Sequence, residues 1–328
     1  MTSIPTHIGA MRARPHGPAV QLRRPAIALV LAGGRPHPDF GPGAPPFRPL
    51  LPVLGRPIVA HVLDALQASC ARRTLVFHDP ACDIASVVDA GDKTTFVPLP
   101  SSPTPIGRSV RYALEASVRA CGIDAVRGSR LLILPCDQPF TTAAVIDRVL
   151  QRADALEFDF AYMGVSRRLL SQRYPGKPFR FYPAADLGGY YALQTATLVD
   201  GTFIHSSEDG ARVSFGDWTR EEADRLFENI SVLREGRRSL WQVPQFLNEL
   251  VFRRLRGGRG RRLIASTLAR ALVGRLRSTD MDRLAQAAFR TRTVCVDTEA
   301  PELSADIDTP ADLAFYLGVS GASGARQP

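Results

Sequence analysis

Between Ala26 and Leu134, short aliphatic runs alternate strictly with stretches of helical periodicity, and this alternation restricts the fold more than any other feature of the chain. Ala26 to Leu31, Thr74 to Phe77, Thr94 to Leu99 and Leu131 to Leu134 have the length and composition of buried strands. Between them, Ile58, His61, Val62, Ala65 and Leu66 trace one face of a helix opened by Pro57. Asp83 to Ala90 reads as a short helix, and Ile106 to Ala120 as a longer one. A further helix follows a cap at Thr141 or Thr142. Such a pattern calls for a mostly parallel sheet covered on both faces. The expected class is α/β, a Rossmann-like three-layer α/β/α sandwich with ligands at the carboxyl ends of its strands.

Three loops carry residues suited to chemistry. The first follows the Ala26 to Leu31 run and reads Leu31-Ala32-Gly33-Gly34-Arg35, then a proline-rich loop, then Arg48-Pro49-Leu50-Leu51-Pro52-Val53-Leu54-Gly55-Arg56-Pro57. A glycine pair after a strand lets backbone N–H groups approach a phosphate, and Arg35 and Arg48 add positive charge there. The second is Leu134-Pro135-Cys136-Asp137-Gln138-Pro139, in which an aspartate ends a buried strand. Asp137 is either a hard oxygen ligand for a cation or a cap for the helix that follows. The third is Glu302-Leu303-Ser304-Ala305-Asp306-Ile307-Asp308-Thr309-Pro310-Ala311-Asp312-Leu313. In an extended segment Asp306 and Asp308 share one side and Ile307 turns to the core. Asp312 suits the amino end of a helix.

Taken in this order, the three elements resemble the nucleotidyltransferases related to molybdenum-cofactor guanylyltransferase, a group that extends to sugar-1-phosphate nucleotidylyltransferases. The resemblance covers residues 26 to about 150 and 290 to 317. It implies a fold of the nucleotide-diphospho-sugar transferase type (GT-A, Rossmann-like) and Mg²⁺-dependent transfer of an NMP from an NTP, GTP or CTP, to a phosphorylated acceptor, with release of pyrophosphate. The acceptor would be a cofactor precursor, a sugar phosphate or a polyol phosphate. By the same resemblance, Leu31, Ala32, Gly33, Gly34, Arg35 and Arg48 belong to the nucleotide site, and Ala32 and Gly33 border the base. Gly107 and Ser109, at a helix amino end, fall in the segment that reads the base or braces the acceptor, although Ser109 equally suits capping or packing. Asp137 with Asp306 or Asp308 would hold magnesium, and the choice between the last two stays open. Arg35, Arg48 and Asp137 are the expected catalytic group. The chain departs from the pattern at Arg48, where the family carries lysine, at Ala311 in place of glutamate, and in its proline-rich glycine loop.

Residues 158 to 292 should choose the acceptor. Tyr162 to Val165 and Tyr190 to Leu198 read as strands. Arg167, Arg168, Arg173, Lys177 and Arg180 interleave with Tyr174, Phe179, Phe181 and Tyr182, either as a grip for a phosphorylated acceptor or as a solvated face over a small aromatic core. From about 219 to 290 the pattern is helical (Glu221 to Leu233, Leu240 to Leu255, Leu263 to Leu276, Met281 to Phe289), which points to an insertion in the nucleotidyltransferase domain of residues 25–317. Arg253 to Arg262 holds six arginines in ten residues. That loop is read as an exposed interhelical turn, with an anionic membrane surface or RNA as the other possibility.

The net charge of +9 fits polyanionic ligands in general. Five scattered cysteines indicate neither a zinc site nor a disulfide framework and suit a reducing, cytoplasmic setting. Residues 1–24 and 318–328 read as a disordered basic leader and a disordered tail. Two other readings remain: a catalytically inactive nucleotide-binding scaffold associated with RNA or membrane, and a nucleotide-sugar glycosyltransferase. The latter calls for a DxD-type metal motif that Asp137-Gln138-Pro139 does not supply.

Overall fold

Alternate residues of the first strand, β1 (Ala26–Ala32), part to opposite sides of the sheet, as the two-residue repeat of a strand requires. Ala26, Ala28, Val30 and Ala32 enter one core, and Ile27 and Leu29 enter another. The same division recurs in β4 (Arg73–His78), where Val76 faces the first core and Leu75 and Phe77 the second. It recurs again in β6 (Arg130–Pro135). A strand apolar on both faces needs cover on both, and two pairs of helices supply it. Helices α1 (Ile58–Ala68) and α5 (Ala143–Asp154) pack over the first core, and α3 (Ile106–Cys121) and α4 (Ile123–Arg127) over the second.

The computed structural model describes residues 20–100, 106–207, 213–216, 218–219, 221–224 and 258–324. Its main sheet has eight strands in the order β12-β7-β9-β6-β1-β4-β5, with β8 paired to β9. The remaining members are β5 (Thr94–Pro98), β7 (Phe160–Ser166), β8 (Tyr182–Ala184), β9 (Gly189–Asp200) and β12 (Thr293–Asp297). Strands β6, β1, β4 and β5 are mutually parallel, whereas β9 runs antiparallel to both β6 and β7. The three-layer α/β expectation therefore holds, with a mixed sheet. Two small hairpins flank it, β2 (Pro52–Val53) with β3 (Arg56–Pro57) and β10 (Ile204–Ser206) with β11 (Val213–Phe215).

Several boundaries differ from expectation for local reasons. Pro57 caps α1 from outside, with ψ 137°, because it still pairs with Pro52 in the hairpin. The helix expected over Asp83 to Ala90 is a single turn, α2 (Ile84–Val87); Asp83 caps it and Val88 is already extended at φ −131°. Arg23 and Arg24, expected in the leader, are anchored: the Arg23 amide donates to Asp154 at 2.7 Å and Arg24 Nη1 to Asp200 at 2.5 Å. At the other end, the helix α9 (Pro310–Gly324) continues through residues expected in the tail, because Val319 still packs against a third core around Tyr174, Ile307 and Tyr316.

Within the expected insertion, residues 221–224 are helical, followed in the described residues by α7 (Gly258–Leu272) and α8 (Ser278–Phe289). These two meet through Ile264 and Leu284. The remainder of the Glu221 to Leu233 helix, the Leu240 to Leu255 helix and the start of the expected arginine loop, up to residue 257, lie outside the described residues. So do residues 1–19 of the leader, residues 101–105 and residues 325–328. The remaining residues of the expected arginine loop, 258–262, are not a turn but the start of α7. Among the described residues no helix is long and apolar enough to cross a membrane.

Candidate functional site

Strand β1 has β4 on one side and β6 on the other, so the connections leaving β1 and β6 run in opposite directions and open a crevice at their carboxyl ends. Leu31 pairs with Pro135, and the Cys136 amide donates to the Leu31 carbonyl at 3.1 Å. The glycine pair and Asp137 thus leave the sheet side by side. Gly34 adopts φ +91°, a conformation that disfavours any side chain, and its carbonyl accepts from the Arg48 amide at 3.0 Å. That bond closes the proline-rich loop and brings Arg48 to the end of β6.

The third motif arrives by a comparable main-chain link. The Ile307 amide donates to the Asp137 carbonyl at 3.0 Å, and the Ile307 side chain is buried with Tyr174 and Tyr316. Asp306 and Asp308 are thereby held beside Asp137, but they face different partners. Arg48 Nη1 donates to Asp137 Oδ2 at 2.8 Å and to Asp308 Oδ1 at 3.0 Å. Asp306 Oδ1 instead accepts from Gln138 Nε2 at 2.8 Å and Thr195 Oγ1 at 2.9 Å. Asp308, not Asp306, therefore shares a cation with Asp137. Burial alone would make the Arg48 guanidinium easier to deprotonate, but Asp137 and Asp308 outweigh it and raise its pKa, so the charge is permanent.

The helix-cap role open to Asp137 falls to Thr142, whose hydroxyl accepts from the Val145 amide. Asp312 takes the expected place at the start of α9, accepting from the Thr309 amide at 2.8 Å and pairing with Lys177. Although burial opposes it, that pairing lowers the Asp312 pKa. Cys136, beside Asp137, is buried, and burial followed by the neighbouring carboxylate pushes its thiol pKa up.

Gln138, Gln194 and Thr195 were not singled out from sequence. Gln138 is 1% exposed, and its amide joins Thr195, the Leu303 carbonyl and Asp306. Gln194 donates to the Ala300 carbonyl at 2.6 Å and accepts from Thr298 Oγ1 at 2.7 Å. Together they sew β9 to the segment carrying Asp308. The available signal was a glutamine and a threonine, side by side, within a largely apolar strand.

On the far side of Arg48 lies a cleft of about 330 Å³, lined in part by Arg48, Arg180, Tyr182, Thr195, Asp306 and Asp308. The basic and aromatic run therefore does two things. Lys177 pairs with Asp312, and Tyr174 and Phe179 join the third core, whereas Arg180, its guanidinium 5.3 Å from the Tyr182 ring centre, forms cleft wall. Arg167, which follows β7 at the start of α6 (Arg167–Arg173), lies 5.4 Å from the Phe181 ring centre.

The other expected site residues lie on β1, on its loop and on α3. Arg35 is exposed and keeps to its own loop, with its guanidinium 5.5 Å from the Phe47 ring centre and 3.4 Å from the Pro46 carbonyl. Gly107 and Ser109 are both buried in the first turns of α3. Leu31 and Ala32 end β1, and Gly33 lies against Leu99, just beyond β5. Among the described residues no three His, Cys, Asp or Glu side chains gather into a metal cluster. The pair Asp137 and Asp308 nonetheless suits magnesium: two carboxylate oxygens already converge on one positive nitrogen, and Mg²⁺ typically takes one or two carboxylates and completes its shell with phosphate and water.

A family model for the MobA-like NTP transferase domain matches residues 28–204. Among solved structures, a hypothetical transferase from Thermus thermophilus is 22% identical, covering 88% of this chain and 99% of its own, with a TM-score of 0.60. A nucleotidyl transferase from Methanothermobacter thermautotrophicus is 14% identical, covering 92% and 99%, with a TM-score of 0.46. A CMP:2-keto-3-deoxy-manno-octonic acid synthetase complexed with CTP is 15% identical, covering 91% and 99%, with a TM-score of 0.45. The first of these shares the fold. No curated protein sequence matches the chain.

Proposed function

The chain belongs to the family of MobA-like NTP transferase domains, and from that premise we propose that it moves an NMP from an NTP, GTP or CTP, to a phosphorylated small molecule and releases pyrophosphate. The observation that carries this proposal is the convergence of Asp137 and Asp308 on a single cationic nitrogen beside the Gly33-Gly34 turn, where the sheet changes direction.

In the proposed reaction an oxygen of the acceptor phosphate attacks the α-phosphorus, a new P–O bond forms, and the bond from the α-phosphorus to the bridging oxygen breaks. The attacking oxygen is already ionised at neutral pH, so no side chain need remove a proton. The work left to the protein is alignment and neutralisation of charge. Gly33 and Gly34 leave room for the triphosphate against the main chain. Arg48 and the exposed Arg35 supply its positive contacts. Asp137 and Asp308 would hold Mg²⁺, which when bound offsets negative charge on the α-phosphate and the departing pyrophosphate. The cleft beyond Arg48 would receive the acceptor, with Arg180 as its phosphate contact and Tyr182 as an apolar wall.

Thermal shift with GTP, CTP, ATP and UTP, each with and without Mg²⁺, tests the proposal on the wild type and on Asp137→Ala. A ligand that binds only the native state raises the melting temperature by mass action. Stabilisation by one NTP that depends on Mg²⁺ and is lost in Asp137→Ala is the expected outcome, and it names the donor. No stabilisation by any nucleotide would overturn the proposal.

A further inference from the structure

The position occupied here by Arg48 is worth more than a phosphate contact. We propose that the Arg48 guanidinium is a built-in counter-ion, which holds Asp137 and Asp308 until a divalent cation and a triphosphate replace it together. It rests on the metal site proposed above, and its consequence is that the two ligands bind with positive coupling.

One nitrogen, Nη1, makes both contacts, at 2.8 and 3.0 Å. Mg²⁺ needs oxygens at about 2.0–2.1 Å, so a cation between the same two carboxylates takes the place of that nitrogen and cannot sit beside it. The exchange needs only a side-chain motion. The Arg48 amide is tied to the Gly34 carbonyl, the Arg48 carbonyl accepts from the Leu51 amide, both at 3.0 Å, and the next residue, Pro49, is buried. Room for the motion exists, because Arg48 already borders the cleft.

Charge decides the order of events. Two carboxylates and one guanidinium leave a net single negative charge. Asp137 has a side chain only 9% exposed, so this pairing is less screened than one at the surface. A divalent cation arriving alone must compete with a resident cation. A triphosphate brings several negative charges and accepts a guanidinium fork well, so it draws Arg48 off the carboxylates and clears the metal site. Because linkage is reciprocal, the metal then tightens the triphosphate by the same factor.

Mn²⁺ alone, followed by electron paramagnetic resonance without nucleotide, is the probe. Arg48→Met should bind Mn²⁺ about tenfold more tightly than the wild type or better, within the usual range of coupling between sites. Its metal-free melting temperature should fall, and Mn²⁺ should restore it. Equal Mn²⁺ affinity in the two proteins would overturn the counter-ion proposal while leaving the metal site standing. Mn²⁺ binding to neither protein, at millimolar concentration, would overturn both. A second measurement does not depend on the folding of Arg48→Met. In ¹⁵N-arginine-labelled wild type, the Arg48 guanidinium signal, identified by its absence from Arg48→Lys, should hold its position when Mg²⁺ is added alone at a concentration below that at which the metal alone binds the wild type. It should move when Mg²⁺ and the stabilising NTP are added together. A signal that moves with Mg²⁺ alone, or with neither addition, would overturn the proposal.

Discussion

The two halves of the sheet are built on different principles. In β4, β1 and β6 the strands are parallel and carry apolar residues to both faces, bury polar side chains only near their amino ends (Thr74, Arg130), and keep the charged candidate site residues in the loops beyond their carboxyl ends. In β9, β7 and β12 the strands themselves bury polar groups: Gln194, Thr197 and Thr293 are each under a tenth exposed, and Tyr162 reaches Asp282 of α8 at 3.0 Å. The first half is a scaffold whose loops can change without disturbing it. The second half doubles as the bracket for Asp306 and Asp308, so its polar contacts govern stability and site geometry together.

A substitution at the seam should have the largest effect, because it separates the halves. Gly201 follows β9, and a Cβ added there would lie 1.7 Å from the carbonyl oxygen of Val126, in α4, the helix just before β6. Backbone cannot yield as a flexible side chain can. Gly201→Ala should therefore cost about 3 kcal/mol or more, read as a fall in melting temperature of roughly 4–5 °C or more for a chain of this size. An unchanged melting temperature would mean that the halves are not joined rigidly there.

Gln138→Leu sharpens the contrast next, since it removes a polar hub while keeping bulk. It leaves the Leu303 carbonyl without its Gln138 partner, so a loss of about 1–3 kcal/mol is expected. Because its amide also holds Asp306, two residues before Asp308, the substitution should lower activity roughly 10–100-fold, chiefly in kcat. Loss of stability with activity intact, measured on folded protein, would deny the second half its bracket role.

Asp282 gives the smallest effect and a distinct pH signature. Burial, only partly offset by the Tyr162 hydroxyl, pushes its carboxyl pKa up to about 6, above the roughly 3.9 of an unfolded aspartate. The folded state therefore holds its proton to higher pH than the unfolded state does. The stability this confers is complete below about pH 4 and is lost as pH rises to about 6. Asp282→Asn should be more stable than the wild type at pH 7–8, by about 1 kcal/mol after allowance for solvent screening. The advantage should shrink as the pH falls toward 4 in urea titrations, and an advantage independent of pH would show that Asp282 is not the titrating group.

The same contrast explains what could be read from sequence. The parallel half was legible because each strand is a short aliphatic run closed by Gly, Pro or Asp, and each helix shows its own period. The loops that end in Gly34, Arg48 and Asp137 were legible for the same reason, since the chemistry sits at the end of a recognisable element. Strand periodicity does not state a strand's direction, so the antiparallel pairing of β9 with both β6 and β7 was beyond it. Which of Asp306 and Asp308 faces Arg48 was likewise hidden, because Asp306 is engaged by the amide of Gln138, a residue whose contacts form only when β9 lies beside it. Arg48 looked like a contact for a phosphate, and nothing local in sequence reveals that it bridges an aspartate 89 residues away and another 260 residues away.

That last separation bears on how the molecule is made. A ribosome that has released Asp137 has delivered β1, β4, β5 and β6, enough for two-sided packing around a parallel sheet to begin. The nascent chain still lacks Asp308, and it lacks β12, the strand that closes the far edge beside β7. Between the release of Asp137 and that of Asp308 the protein is a growing scaffold with an unfinished centre. Under the proposed function, competence for nucleotide transfer comes only once Asp308 has followed, and a message cut between the two aspartates would yield a chain able to collapse around its first strands but unable to catalyse.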